Sequence, residues 1–119
     1  MKNFYNKMFS HTHHAKAMQS DKKATLMNKL IDHLVSTGVV RTPKVNQVMR
    51  KVDRGEFCDV KGVYHDSPQP LGFNATISAP HMHGFCLEWL ADSLAPGNKV
   101  LDVGSGSGYL CAAFYEMMD

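Results

Sequence analysis

The sequence predicts an α/β chain: helices first, then the opening strand, loop and helix of a doubly wound sheet. Three observations predict it. Apolar residues recur at helical spacing between Leu26 and Val52. A short apolar run, Lys99-Val100-Leu101-Asp102-Val103, leads straight into Gly104-Ser105-Gly106-Ser107-Gly108. An apolar-striped segment, from Tyr109 to Met118, follows that glycine loop, and strand, glycine loop and helix in that order begin such folds.

The first 20 residues read as a flexible tail. They carry Lys2, Lys7 and Lys16, no acidic residue and few apolar positions. A helix is expected from about Ser20, with Leu26, Met27, Leu30, Ile31, Leu34 and Val35 on its stripe and Gly38 as its stop. Thr42-Pro43 predicts a second start, a capping hydroxyl ahead of a proline at the first helical position. Val45, Val48, Met49 and Val52 make its apolar face, and Gly55 closes it. Five residues, Gly62, Pro68, Pro70, Gly72 and Pro80, then punctuate a loop-rich stretch over 57–80. A third helix is expected from Pro80 to Leu94, with Met82, Phe85, Cys86, Trp89, Leu90 and Leu94 facing inward. Pro96-Gly97 turns the chain into the strand at 99–103. Leu110, Ala113, Phe114 and Met117 share one side of the last helix and are expected to lack sheet cover. The division is therefore a tail (1–20), a helical and loop region (21–97) and the first strand–loop–helix unit (98–119).

At 119 residues, with 44% hydrophobic and 20% charged positions, the chain suits one small folded domain and is short for a complete enzyme on a parallel sheet. The net charge of +2 is too balanced to point to nucleic acid. No apolar run nears the roughly 20 residues a membrane-spanning helix needs. Cys58, Cys86 and Cys111 form no C-x-x-C pair, so they read as reduced thiols in a cytoplasmic protein, not as a disulfide frame or zinc site. His11, His13 and His14 cluster in the tail without a Cys or acidic partner, and no metal is expected there. Met side chains on the helical stripes read as core fillers.

The glycine loop carries the first chemistry. Glycines permit positive φ and close backbone approach, and a helix N-terminus follows with free N–H groups. Its spacing is G-x-G-x-G, not the G-x-G-x-x-G of dinucleotide sites, and no Gly-Lys-Ser/Thr ends it as in nucleotide-triphosphate loops. After Leu101-Asp102-Val103 the spacing fits a loop holding S-adenosylmethionine. The plainer alternative is a tight turn of small residues. A second segment, Asp66-Ser67-Pro68-Gln69-Pro70-Leu71-Gly72-Phe73-Asn74-Ala75-Thr76-Ile77-Ser78-Ala79-Pro80-His81-Met82-His83, delivers Thr76 and Ser78 to a helix start. There the two hydroxyls and the helix N-terminus suit a carboxylate. Equally, Ser78 or Ala79 is a cap and the hydroxyls satisfy backbone donors. His83, alone on a first helical turn, reads more simply as a surface or hydrogen-bonded residue. No Ser-His-Asp context surrounds Ser78, so nucleophilic hydrolysis is not expected.

These segments together resemble the protein-L-isoaspartate (D-aspartate) O-methyltransferase family. The resemblance rests on Asp66-Ser67-Pro68 through Gly72, on Thr76-Ile77-Ser78-Ala79-Pro80-His81-Met82-His83, and on the run from Leu101 to Leu110. It also includes Thr42-Pro43 and Val52-Asp53-Arg54. It implies a Rossmann-like methyltransferase fold, ending after its first strand–loop–helix unit, with S-adenosylmethionine as methyl donor. It implies methyl transfer to the free carboxylate of isoaspartyl and D-aspartyl residues in damaged proteins, a protein-repair reaction. Ser78 is then the active-site residue, and Thr76 and Ser78 bind substrate. Ala75, Thr76, Ile77, Ser78 and His83 lie near the cofactor, with Gly104, Ser105 and Gly106 in its methionine-binding loop and Asp102 orienting that loop or the cofactor's ammonium. The expected partners are isoaspartyl proteins and peptides, met by a monomer, with no nucleic acid and no membrane. The chain reads as a truncated form, inactive alone; the alternative is a non-catalytic product acting, if at all, as a protein-binding module.

Overall fold

Residues 2–37 contain neither glycine nor proline, and Ala, Lys, Met and Gln, which favour helix, are frequent among them. The computed structural model, which describes residues 2–119 and side chains from Lys16 onward, accordingly shows one helix, α1, over Lys2–Ser36. The helix thus begins well before the expected Ser20, whereas among the described side chains the first buried one is Met27. His11, His13 and His14 lie outside the described side chains. Gly38 ends the helix at φ 75°, a left-handed conformation that glycine takes without strain.

Helix α2 spans Pro43–Lys51 and buries Val45, Val48 and Met49, with Val52 at its C-cap also buried. Thr42 stands at the N-cap, but its hydroxyl does not cap. It donates to Glu88 Oε2 at 2.6 Å, while Glu88 Oε1 accepts from the Arg41 and Thr42 backbone N–H groups at 2.6 and 2.7 Å. The Thr42 hydroxyl is thus drawn away from the cap expected of it, and a carboxylate from another helix holds the N-cap residue instead. Burial opposes the charge of Glu88, but these bonds outweigh it and hold the carboxyl below its usual range.

The stretch over 57–80 is not all loop. After a 3-10 turn at Arg54–Glu56, strands β1 (Gln69–Gly72) and β2 (Ala75–Ile77) form an antiparallel hairpin, with Gln69 opposite Ile77 and Gly72 opposite Ala75. Phe73 and Asn74 make the tip at φ 51° and 60°. Two residues at positive φ suit the twist of a hairpin, but Asn is the type that signals it and Phe conceals it. Helix α3 covers Pro80–Leu90 and continues as a 3-10 turn over Ala91–Ser93, shorter than the helix to Leu94 that was expected. Its inner face also differs. Pro80, His83, Gly84 and Leu87 are buried, whereas Met82, Phe85, Trp89 and Leu90 are exposed. Apolar residues surround this helix, so periodicity alone does not select a side. Packing selects the one bearing Gly84, where an added Cβ would meet Val39 Cγ1 at 2.9 Å.

Residues 99–102 have no regular structure, Val103 lies in a turn, and Leu101 and Val103 are 85% and 86% exposed. Backbone N–H and C=O groups define a strand only when a neighbour receives them, and among the described residues the hairpin is the only sheet. The chain is mixed α/β, but the predicted strand is absent as such. Helix α4, Tyr109–Met118, packs against α2 and α3. Its Ala113, Phe114 and Met117 are buried, contrary to the bare stripe expected, because the helical layer covers them in place of a sheet. Lys51 and Glu116 pair at 2.5 Å across α2 and α4. Among the described residues no helix is long and apolar enough to cross a membrane.

Candidate active site

Loop and helix meet at the N-terminus of α3. Ala79 occupies its N-cap and offers no side-chain acceptor. Asp66 supplies one from 15 residues earlier, taking hydrogen bonds from the His81 backbone N–H and lying 2.9 Å from His81 Nδ1. Ala79 at the N-cap and Pro80 in the first turn match the helix-entry reading, although no side chain of Ser78 or Ala79 caps the helix. The turn before the hairpin is fixed in the same way: Asp53 accepts from the Gly55 N–H and the Tyr64 hydroxyl, each at 2.8 Å. Burial, then the bond to Asp53, raises the Tyr64 pKa.

Behind the loop lies Arg54, 1% exposed. Its Nε donates to the Val63 carbonyl at 2.8 Å, Nη1 to the Ser78 carbonyl at 2.7 Å and Nη2 to the Ser67 carbonyl at 3.3 Å. Nη1 also lies 3.5 Å from His83 Nδ1. The His83 ring stacks on Tyr109 with centroids 4.4 Å apart and planes 18° from parallel. His83 is 5% exposed, so of the two plainer readings, surface or hydrogen-bonded residue, the structure supports the second. Burial, reinforced by the Arg54 charge, pushes its pKa down to about 4, so the ring is neutral at pH 7. Burial likewise raises the Tyr109 pKa.

In front of this plug is a cleft of about 110 Å³ lined by Thr76, Ile77, Ser78, His83, Asp102, Gly104, Ser105, Gly106, Ser107 and Leu110. Every expected site residue lies on its wall except Ala75, which pairs with Gly72 on the exposed side of the hairpin. Three chain segments thus converge: the end of β2, the first turn of α3 and the glycine loop. Gly104 and Gly106 hold φ 83° and 55°, so backbone, not side chain, forms that wall. Among the described residues no hydrogen bond engages the Thr76 or Ser78 hydroxyl, whereas Asp102 accepts from the Cys111 thiol at 3.4 Å. That bond raises the Cys111 pKa. Wider clefts lie over Cys58 and Pro70 (550 Å³) and between α1 and His65 (460 Å³), but neither gathers free hydroxyls, a carboxylate and a glycine backbone.

Sequence reasoning missed Arg54, Tyr109 and Asp66 as parts of this site. Arg54 follows Asp53 near a helix end, a setting that reads as a surface ion pair, and no local pattern announces that its partners are carbonyls 9 to 24 residues away.

A polar cleft at a helix start beside a left-handed glycine loop is the kind of site that methyltransferases present, and the comparisons agree. The family model of protein-L-isoaspartate(D-aspartate) O-methyltransferase matches residues 24–119, and the chain belongs to that family. A protein-L-isoaspartate O-methyltransferase of Triticum aestivum is 56% identical over 92 residues, which are 76% of this chain and 40% of the relative. Protein-L-isoaspartate O-methyltransferase 2 of Arabidopsis thaliana is 45% identical over 106 residues, 88% of this chain and 34% of that one. Among solved structures, a Plasmodium falciparum protein-L-isoaspartate O-methyltransferase in complex with S-adenosyl-L-homocysteine superposes with a TM-score of 0.74 at 38% identity, covering 77% of this chain and 42% of that chain. The chain spans 34% to 40% of the length of these two curated relatives.

Proposed function

We propose that the cleft serves S-adenosylmethionine-dependent methylation of the free carboxylate of isoaspartyl residues in damaged proteins, in the cytoplasm. The observation that carries this reading is the convergence of the Thr76 and Ser78 hydroxyls, Asp102 and the Gly104–Gly106 backbone on one small cleft. The donor set fits the methionine end of the cofactor. Positive-φ glycines leave the backbone open to close approach, and the Asp102 carboxylate retains acceptor capacity for an ammonium group. At 110 Å³ the cleft is smaller than the roughly 300 Å³ or more of ordinary ligand pockets, so it would hold part of that molecule. When bound, S-adenosylmethionine supplies an electrophilic methyl on sulfur.

The substrate needs no general base. A β-linked aspartyl carboxyl ionises near pH 4 (about the value of an ordinary side chain), so it is an anion at neutral pH. The residues' work is to position it and strip its water. The Ser78 hydroxyl donates to one carboxylate oxygen, Thr76 flanks it, and neutral His83 and Ile77 close the floor. Ser78 forms no covalent intermediate.

The test uses the 119-residue chain. Titration with S-adenosylhomocysteine, followed by amide chemical shifts, should perturb residues 104–107 and 76–78 with weak affinity and without methyl transfer to an isoaspartyl peptide. Micromolar binding with turnover would show that the cleft suffices as a whole enzyme. Absence of any response at these amides at millimolar ligand would sink the proposal.

A further inference from the structure

We infer that Arg54 is the positioning residue of the cleft: its guanidinium fixes the Ser67 and Ser78 carbonyls against His83 and places an unbalanced positive charge behind the wall where an anionic group would bind. The inference rests on the proposed function for the identity of that anion, the substrate carboxylate.

A buried charge without a counter-ion is costly, and proteins tolerate it where its field or its geometry is used. Arg54 has no carboxylate within ion-pair distance among the described residues. Asp66, whose carboxylate interacts with its charge, is engaged by His81. Three carbonyls satisfy the guanidinium's hydrogen bonds but leave its charge unneutralised. The planar fork also explains why arginine stands here. Its N–H groups diverge to carbonyls at positions 63, 67 and 78, which the point charge of a lysine would not reach together.

The consequence falls on the wall that carries Ser78 and His83. The Ser78 carbonyl is held at 2.7 Å, which sets the backbone that carries the free hydroxyl. His83, which lines the cleft, faces Arg54 from the 3-10 turn, Tyr109 from α4 and Asp102 across the cleft. Charge across the cleft is therefore polarised, positive behind Ser78 and negative at Asp102. A carboxylate and a methyl sulfonium side by side carry those same two signs. Methyl transfer joins them and cancels both, so the Arg54 field strengthens substrate binding more than it lowers the barrier.

The test compares Arg54→Met with Arg54→Lys in the 119-residue chain by NMR. In the unaltered chain an isoaspartyl peptide should shift the amides of residues 76–78. Arg54→Met should weaken that response about tenfold or more, and Arg54→Lys, which restores charge without the fork, should recover part of it; S-adenosylhomocysteine shifts at 104–107 should change less than about threefold in both. The His83 ring titration is the second readout. Its midpoint should rise by about a unit in Arg54→Met and stay low in Arg54→Lys. A His83 midpoint unmoved in Arg54→Met overturns the inference, whatever the peptide does. Should Arg54→Met fail to fold, Arg54→Lys and Arg54→Gln carry the same comparison, and equal His83 midpoints in those two would also overturn it. A peptide response absent from the unaltered chain, with the His83 midpoint shifting as expected, would instead refute the proposed substrate.

Discussion

The two walls of the cleft are built by different means. The wall of Thr76, Ser78 and His83 is pinned from behind, by Arg54 through three carbonyls, by Asp66 at the α3 start and by the stacked Tyr109 ring. The wall of Asp102, Gly104, Ser105 and Gly106 is fed by residues 99–103, whose Leu101 and Val103 stand in solvent, and is anchored on one side only, where Tyr109 begins α4. Its own bonds are local: the Gly108 N–H to the Ser105 carbonyl at 2.9 Å, and the Tyr109 N–H to the Ser107 hydroxyl at 3.3 Å. Precision at a site comes from long-range side-chain bonds to backbone, and the first wall has them where the second does not.

The sharpest way to break this contrast is to cut the second wall's anchor. Phe114→Ala empties a buried position between α4 and the helical layer and should cost about 3–5 kcal/mol by urea denaturation. A loss below 1 kcal/mol would mean that α4 is not the anchor.

The first wall should reveal itself through acid. The unfolded chain protonates His83 as pH falls below about 6.5, whereas the folded ring resists until about 4. The unfolded state therefore binds more protons in that window, and stability should fall by about 2–3 kcal/mol between pH 6.5 and 4. His83→Gln should flatten that part of the profile, and an unchanged slope in the variant would show that other groups cause it.

Glu88→Gln sharpens the picture of what supports α3. It removes the ionic character of three hydrogen bonds to Arg41 and Thr42 and should cost about 1 kcal/mol at pH 7, shrinking at low pH as the native carboxyl protonates. Equal losses at pH 7 and pH 3 would show that charge is not involved. The smallest effect belongs to the bare segment: Leu101→Ser and Val103→Ser should each change stability by less than about 0.5 kcal/mol. A large loss in either would show that the segment is held.

How much of this was legible in the sequence follows the same divide. Local signals were read well. Pro43 starts α2, Gly38 ends α1, the stripe of α2 is buried, and Gly104, Gly106 and Gly108 hold positive φ. The hairpin escaped because its turn carries Phe73 in place of a glycine, and α3 was read on the wrong face because its apolar residues surround it. The strand at 99–103 failed for the converse reason, since a strand is a relation to a neighbour and the sequence shows only its propensity. Most of the site's lining residues were found through family-like motifs. The residues behind them were not, because a guanidinium bound to distant carbonyls leaves no periodic trace.

The carboxylate of Glu88 has one more consequence, for the order in which the chain assembles. Helix α2 has nine residues, too few for a helix to persist alone in water, and the acceptor for the N–H of Thr42, its N-cap residue, lies 46 residues downstream on α3. The two helices must therefore form as one event, after a loop containing the whole hairpin has closed. Nascent chains that end before Glu88 should leave the 43–51 segment unstructured, and α2 should gain protection from hydrogen exchange at the same rate as α3.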